Sequence, residues 1–420
     1  MKKKSKSPVF IILLLILAGE AVFILPFVIV RIFRTTFLEA FNISQTELGS
    51  CFSVYGLVAF FSYLFGGPIA DKFKPHTLMS VALLLTALGG FYLSTYPDLV
   101  NLHILYGFWG FTTIFLFWAA MIKATRIWGG TQKQGLAFGF LDGGRGLVAA
   151  LFGSVGVYVF SMFISTDIEI TSITERRLAF KQVIIYFSVA VVLVSLLVFF
   201  LLRKLPNNIS NKNFNQPTLK NIKQVLKFKA IWLLMIIILC AYFSYKMTDL
   251  FSQYAEDVMK YNKIEAAKVG TYLLYLRPLI GVIIGLLADR TRASLWIVIG
   301  FIIMLLTSAL FASGIINENL TLLFVLSIGT MALGVYSARV LYFAAFEESK
   351  IPIAITGTAV GVVSIIGYTP DIFAGPLMGY FLDKNPGALG LRHVFAIMSG
   401  FSLIGTLASV LFYKHCKKSI

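Results

Sequence analysis

Residues 134–156, QGLAFGFLDGGRGLVAALFGSVG, decide how the rest of this chain is read. Wound on a helix at 100° per residue, Gly135, Gly139, Gly143, Gly146, Ala150 and Gly153 fall on one stripe about 80° wide. Such a stripe lets a second helix approach closely, which is how helices associate where lipid removes the hydrophobic drive. Beside it stand Asp142 and Arg145, three residues apart and therefore neighbours on one face. A charge near the middle of a bilayer costs about 2.5–3.5 kcal/mol on insertion scales, so it must face a partner or a wet cavity. Two readings stay open: an ion pair that pins helix packing, or part of a substrate or coupling site in a polytopic carrier.

The stretch has an echo. Gln134-Gly-Leu-Ala-Phe-Gly139 is answered by Thr356-Gly-Thr-Ala-Val-Gly361, and the same offset carries Gly153 onto Gly375. A second pair, Gly67-Pro-Ile-Ala-Asp71-Lys72 and Gly285-Leu-Leu-Ala-Asp289-Arg290, repeats at nearly the same offset. Two independent matches at nearly one offset imply a duplicated unit.

Composition narrows the class. Of 420 residues, 58% are hydrophobic and 13% charged, against about 25% charged in soluble domains. A spanning helix needs about 20 apolar residues, and the chain offers runs for twelve. The net charge of +17 is no sign of nucleic acid, because most Lys and Arg fall in the segments placed on the cytoplasmic side, as the positive-inside rule requires. Cys51 and Cys240 lie in apolar runs and Cys416 in the tail, with no CxxC site. No HExxH, Gly-x-Ser-x-Gly or Walker pattern is present. The sequence therefore calls for no cofactor, no metal and no catalytic residue: an enzyme is not expected, and neither is ATP-driven transport.

The N-terminus, MKKKSKSP followed by VFIILLLILAGEA, imitates a secretory signal. The apolar run continues to Val30, which is long enough to span, so helix 1 is read at about 8–33. Helices 2 to 6 follow at about 46–66, 77–96, 102–124, 135–162 and 180–202, and helices 7 to 12 at about 230–252, 266–288, 293–314, 320–345, 354–382 and 393–414. Between the halves lies the longest polar stretch, rich in Asn, Pro and Lys. The expected organisation is a six-helix bundle at 1–203, a cytoplasmic linker at 204–229 and a second six-helix bundle at 230–420, with both termini cytoplasmic.

This pattern resembles the major facilitator superfamily over nearly the whole chain. The most specific marker is the loop after helix 2, G-x-x-x-D-[RK]-x-G-[RK]-[RK], present as Gly67, Asp71 and Lys72, with Lys74-Pro75-His76 at its altered end; the second copy keeps Gly285, Asp289 and Arg290. The resemblance implies an all-α membrane protein of twelve helices in two pseudo-symmetric bundles, and a gating role for those loops. Within the superfamily, residues 135–146, 339–370 and 379–387 look like a YihN-like subgroup of bacterial inner-membrane transporters. That likeness carries over Arg145, Arg339 and an acid at Asp142, and implies a bacterial inner-membrane location.

The superfamily fold implies that helices 1, 4, 7 and 10 line the cavity, with 2, 5, 8 and 11 beside them. The charges read as intramembrane fall on those groups: Glu20 on helix 1, Asp142 and Arg145 on 5, Lys246 and Asp249 on 7, Arg277 on 8, Arg339 on 10 and Asp371 on 11. Arg277 and Lys246 could instead snorkel from a helix end, and Asp371 could simply pair with a cation. Taken together, Arg145, Arg339, Lys246 and Arg277 are the substrate-binding candidates, and Glu20, Asp142 and Asp371 the proton-coupling candidates. Arginine forks suit carboxylate, sulfonate or phosphate. The expected substrate is therefore a small organic anion moved by a monomer through alternating access in the lipid bilayer, coupled to a proton or a counter-solute. Trp118, Tyr245, Tyr336 and Tyr342 are candidate walls. A multidrug proton antiporter and a transporter-like sensor are the rival readings.

Overall fold

The computed structural model describes residues 9–129, 134–164, 172–204, 223–342, 345–348 and 356–418. All regular structure among them is helical, as lipid requires of a chain that must satisfy its backbone within each span. Ten of the described helices are long and apolar enough to cross a membrane. The 28-residue helix Gln45–Lys72 and the pair Thr356–Gly367 and Pro370–Lys384 occupy the positions of helices 2 and 11.

The chain divides into two compact units, one of Met1–Ile43 with Ser50–Ser210, the other of Ser44–Gly49 with Asn211–Ile420. Most of the stretch read as a linker, residues 205–222, lies outside the described residues. One packing scheme recurs within both units. In the first, helix 3 (Pro75–Leu93) lies along helix 6 (Ile173–Leu201), and helix 1 (from Val9) along helix 5 (Gln134–Met162). In the second, helix 9 (Ala293–Ser313) lies along helix 12 (Ala388–Lys418), and helix 7 (from Lys229) along the first piece of helix 11 (Thr356–Gly367). Pairs 3–6 and 1–5 thus reappear six helices later as 9–12 and 7–11. This is the packing counterpart of the sequence repeat.

In the first unit, helix 1 is α-helical over Val9–Phe23, widens to a π turn at Ile24–Val28, and resumes at Ile29–Ile32. Pro26 sits in the wide turn, where its missing N–H and its ring are accommodated. Phe33 leaves helical geometry and a further helix follows at Arg34–Phe41. Helix 4 begins at Leu99 under an Asp98 cap, whose side chain accepts from Asn101 N at 2.9 Å. It runs to Gly110, passes through a π segment at Phe111–Trp118 and continues over Ala119–Gly129. Side-chain hydroxyls satisfy groups that the wide turns free: Thr113 Oγ1 donates to Trp109 O at 2.7 Å and exchanges a hydrogen bond with Tyr55 OH at 2.7 Å. Helix 6 starts in a capping box of Ser172 and Glu175.

The glycine stripe of helix 5 needs a correction. A Cβ placed on Gly139 or Gly143 meets nothing within 4 Å. The close approach to helix 1 instead runs through Gly144, where a Cβ would lie 2.7 Å from Ile16 Cγ2, and through Gly19, where it would lie 3.3 Å from Arg145 Cδ. At this end of helix 5 it is Gly144, rather than Gly139 or Gly143, that faces helix 1, while Gly146, Ala150 and Gly153 of the stripe are buried.

In the second unit, helix 7 is α-helical over Lys229–Met247, tightens to a 3-10 turn at Thr248–Leu250, and resumes at Phe251–Asp257. Helix 8 spans Lys263–Arg290 behind a capping box of Asn262 and Glu265. Helices 9 and 10 (Thr321–Leu341) touch backbone to backbone: a Cβ on Gly334 would lie 2.8 Å from Gly300 O. The Glu348 carboxylate accepts from Ser294 N at 3.0 Å, closing the first turn of helix 9. Helix 11, read as continuous, is instead divided between Gly367 and Pro370, because a proline cannot continue the preceding hydrogen-bond ladder.

Candidate functional site

Each unit assembles a buried group of charge and aromatic rings. In the first, Arg145 Nε on helix 5 donates to Glu20 Oε2 on helix 1 at 3.0 Å, and both side chains are almost wholly buried. The guanidinium also lies over two rings, 5.2 Å from the Phe23 centroid and 5.8 Å from that of Trp118, a favourable arrangement for a cation removed from water. Phe23 follows Glu20 by three residues and so shares its face; it also closes the α-helical stretch just before the π turn. Trp118 closes the π segment of helix 4. The two wide segments of the unit thus adjoin its ion pair, a placement that π turns commonly show at functional sites.

In the second unit, Lys246 Nζ on helix 7 stands 2.9 Å from Asp371 Oδ1 at the start of the second piece of helix 11. Tyr242 OH donates to both carboxylate oxygens, 3.0 Å to Oδ1 and 3.1 Å to Oδ2. Arg339, in the last turn of helix 10, stacks its guanidinium 3.7 Å from the Tyr245 ring centroid and 5.9 Å from that of Tyr242. Lys246 Nζ lies 5.9 Å from the same Tyr242 centroid. Tyr368 completes the group, edge-on to Tyr242 at 4.8 Å and with its hydroxyl 3.1 Å from that of Tyr342. Here too the backbone is irregular at the charges: the 3-10 turn begins two residues after Lys246, and Asp371 follows the break in helix 11.

Set against the sequence reading, the structure brings together Glu20 with Arg145, and Lys246 with Asp371 and Arg339. Lys246 and Arg277 are both deeply buried, at 5% and 3% exposure, so neither snorkels to water. Arg277 lies well inside helix 8. Asp142 is half-buried on helix 5, and the acid on Arg145 is Glu20 rather than this i−3 neighbour. Asp249 is buried in the 3-10 turn of helix 7. Of the walls, Trp118 and Tyr245 touch the cations, Tyr342 meets Tyr368, and Tyr336 donates to Leu273 O at 3.2 Å. In the loop regions, the surroundings of Gly67 and the side chains of Asp71, Lys72 and Asp289 lie outside what the structure describes. Gly285 faces open space, and Arg290 is exposed in the last turn of helix 8, where a cation meets the carbonyl end.

Tyr242, Tyr368 and Phe23 were not among the residues singled out from sequence. Spacing could have found all three: Tyr242 precedes Lys246 by four, Tyr368 precedes Asp371 by three, and Phe23 follows Glu20 by three. Arg31, at the end of helix 1, and Arg34, at the start of the helix that follows, are also buried, at 5% and 1% exposure. Among the described residues, no group of three or more His, Cys, Asp or Glu could hold a metal ion.

An all-helical chain with two repeated units and buried ion pairs in the spans is the architecture of a secondary transporter. The Major Facilitator Superfamily matches over residues 9–374; the chain belongs to this family and is a multi-pass membrane transporter rather than an enzyme. Curated relatives include Inner membrane protein YihN of Escherichia coli, 28% identical over 411 residues, covering 96% of this chain and 94% of YihN. Inner membrane protein YqcE of the same organism is 27% identical, covering 91% of this chain and 90% of that one. Solved structures with the same fold include a bacterial homolog of the human lysosomal transporter Spinster, with a TM-score of 0.75, 15% identity and coverage of 100% and 99%. The nucleoside transporter NupG has a TM-score of 0.69, 15% identity and coverage of 96% and 99%.

Proposed function

We propose that this transporter moves a small organic anion, such as a sugar acid, carboxylate, sulfonate or phosphate ester, across a bacterial inner membrane by alternating access. The observation that carries the reading is the second unit's group: two cations, Arg339 and Lys246, each lie 5.9 Å from the Tyr242 ring centroid, and Lys246 is ion-paired with Asp371. Arg339 is oriented by Tyr245 stacking and offers the planar fork that anions bind. Arg145 is the first unit's anion-binding cation and Arg277 a further basic residue of the second. Glu20, Asp142 and Asp371 are the acids through which a proton couples to transport, unless a counter-solute takes that place. The loops at Gly67, Asp71, Lys72 and at Gly285, Asp289, Arg290 act as gates. The chain works as a monomer with both termini cytoplasmic, and its two six-helix bundles at 1–203 and 230–420 are joined by the stretch 204–229.

A multidrug proton antiporter would need acids facing a lipophilic cation, whereas the acids with defined partners, Glu20 and Asp371, are each held by a basic side chain. The test is uptake of radiolabelled gluconate, lactate and glucose 6-phosphate into proteoliposomes, with glucose and tetraphenylphosphonium as neutral and cationic controls. The reading expects uptake of at least one anion, and its loss in Arg339→Lys, which keeps the charge but not the fork. Full activity in Arg339→Lys, or uptake of tetraphenylphosphonium alone, overturns it.

A further inference from the structure

We propose that Asp371 is a built-in competitor for the solute: its carboxylate occupies the place the solute's own anionic group takes, and that group is a carboxylate. The proposal rests on the anion reading above. Asp371 is held as a bound carboxylate would be, with an ammonium 2.9 Å from one oxygen and one phenol bridging both oxygens at 3.0 and 3.1 Å. That bridge fits a flat two-oxygen group. Phosphate and sulfonate could offer the phenol one two-oxygen edge, but their third oxygen would need a further donor that a carboxylate does not.

Three features make Asp371 the partner that leaves. Its side chain is 12% exposed against 6% for Lys246, so the acid is the more accessible member of the pair. In the first unit the order is reversed, with Glu20 at 5% and Arg145 at 10%; that acid is the deeper member and its cation is clasped by Phe23 and Trp118. Asp371 also stands directly after the break in helix 11, where short-range turn bonds, Asp371 N to Tyr368 O at 3.1 Å and Ile372 N to Thr369 O at 2.8 Å, replace a continuous ladder. A side chain on such a turn can swing without unwinding a helix. Finally, Lys246 is deeply buried, so withdrawing the Asp371 carboxylate with nothing in its place carries a penalty. An arriving carboxylate supplies that charge as Asp371 withdraws, so the pair is exchanged rather than broken.

The experiment measures binding of lactate, gluconate, methanesulfonate and methylphosphonate, with glucose and tetraphenylphosphonium as neutral and cationic controls, to the purified full-length chain, wild type and Asp371→Asn. With the competitor's charge removed, affinity for lactate or gluconate is expected to rise about tenfold, equivalent to about 1.4 kcal/mol, while the sulfonate and phosphonate gain little. Asp371→Glu keeps a competing charge and is expected to gain less affinity for lactate or gluconate than Asp371→Asn. Lys246→Gln is expected to abolish carboxylate binding in either background. Should Asp371→Asn not fold, Asp371→Ser carries the same expectation. Unchanged or weaker carboxylate binding in a folded charge-removed variant overturns the competition. An equal gain for methanesulfonate overturns the carboxylate assignment but leaves the anion reading standing. If none of the anions binds while a neutral or cationic solute does, the anion reading itself fails, and the competitor with it.

Discussion

A guanidinium inside a membrane has to be accompanied, and the companions of Arg145 suggest how its roles can be separated. Glu20 supplies the counter-charge at 3.0 Å, and Phe23 and Trp118 supply rings. Arg145→Met therefore strands a buried carboxylate, and the expected loss of stability is about 3 kcal/mol. The double variant Glu20→Gln with Arg145→Met leaves no stranded charge and should recover most of that loss. If Arg145 binds the solute, recovery is confined to stability. Thermal unfolding should return toward wild type while anion uptake stays absent; uptake returning together with stability would make the arginine a packing element only. The charges themselves were legible in the sequence, because an ionisable residue inside an apolar run is conspicuous. Their pairing was not. Asp142 lies one helical turn from Arg145 and looks like the natural partner, but Gly19 and Gly144 bring helix 1 so close that Glu20 reaches the guanidinium first. Tyr242 was passed over for a different reason: among 18 tyrosines no single one stands out until its hydroxyl is seen on Asp371.

Of the four helices that carry the ion pairs, 1, 7 and 11 are irregular near the charges, whereas helix 5 runs unbroken. Pro26 and Pro370 announce two of the irregularities in the sequence. The π segment of helix 4 has no such signal, since Phe111–Trp118 reads as an ordinary apolar run. Glycine tells a similar story at this scale. Spacing alone drew a stripe through Gly139 and Gly143, yet both face open space, whereas Gly334 meets the Gly300 carbonyl. Two substitutions distinguish these cases. Gly143→Ala adds a methyl where nothing obstructs it and removes a flexible residue from a helix interior, so stability should rise by about 0.5–1 kcal/mol. Gly334→Ala drives a methyl against backbone that cannot rotate away, and overpacking of this kind costs about 1–3 kcal/mol. The melting temperatures of the two purified variants should move in opposite directions. A shift of the same sign in both would mean that the helix contacts drawn above are misplaced.

For the whole molecule, the sequence repeat and the packing repeat agree: helices 3 and 6, and 1 and 5, in one unit correspond to 9 and 12, and 7 and 11, in the other. Fold and transport class are readable from the chain alone because the repeat, the apolar runs and the loop motif at Gly67–Lys72 all lie along the sequence. The solute is not. Hydropathy reports which segments enter lipid, while solute choice depends on which side chains converge across helices, and that convergence has no signature along the sequence. The most direct test of the central claim is thermal stabilisation of the purified protein against organic anions, neutral sugars and lipophilic cations. A ligand present at about 100 times its dissociation constant stabilises by about 2.7 kcal/mol, well within reach of a melting curve. The account predicts a shift with one class of anion, diminished in Arg145→Ala and absent in Arg339→Ala. Stabilisation by lipophilic cations alone, undiminished in both variants, would contradict it.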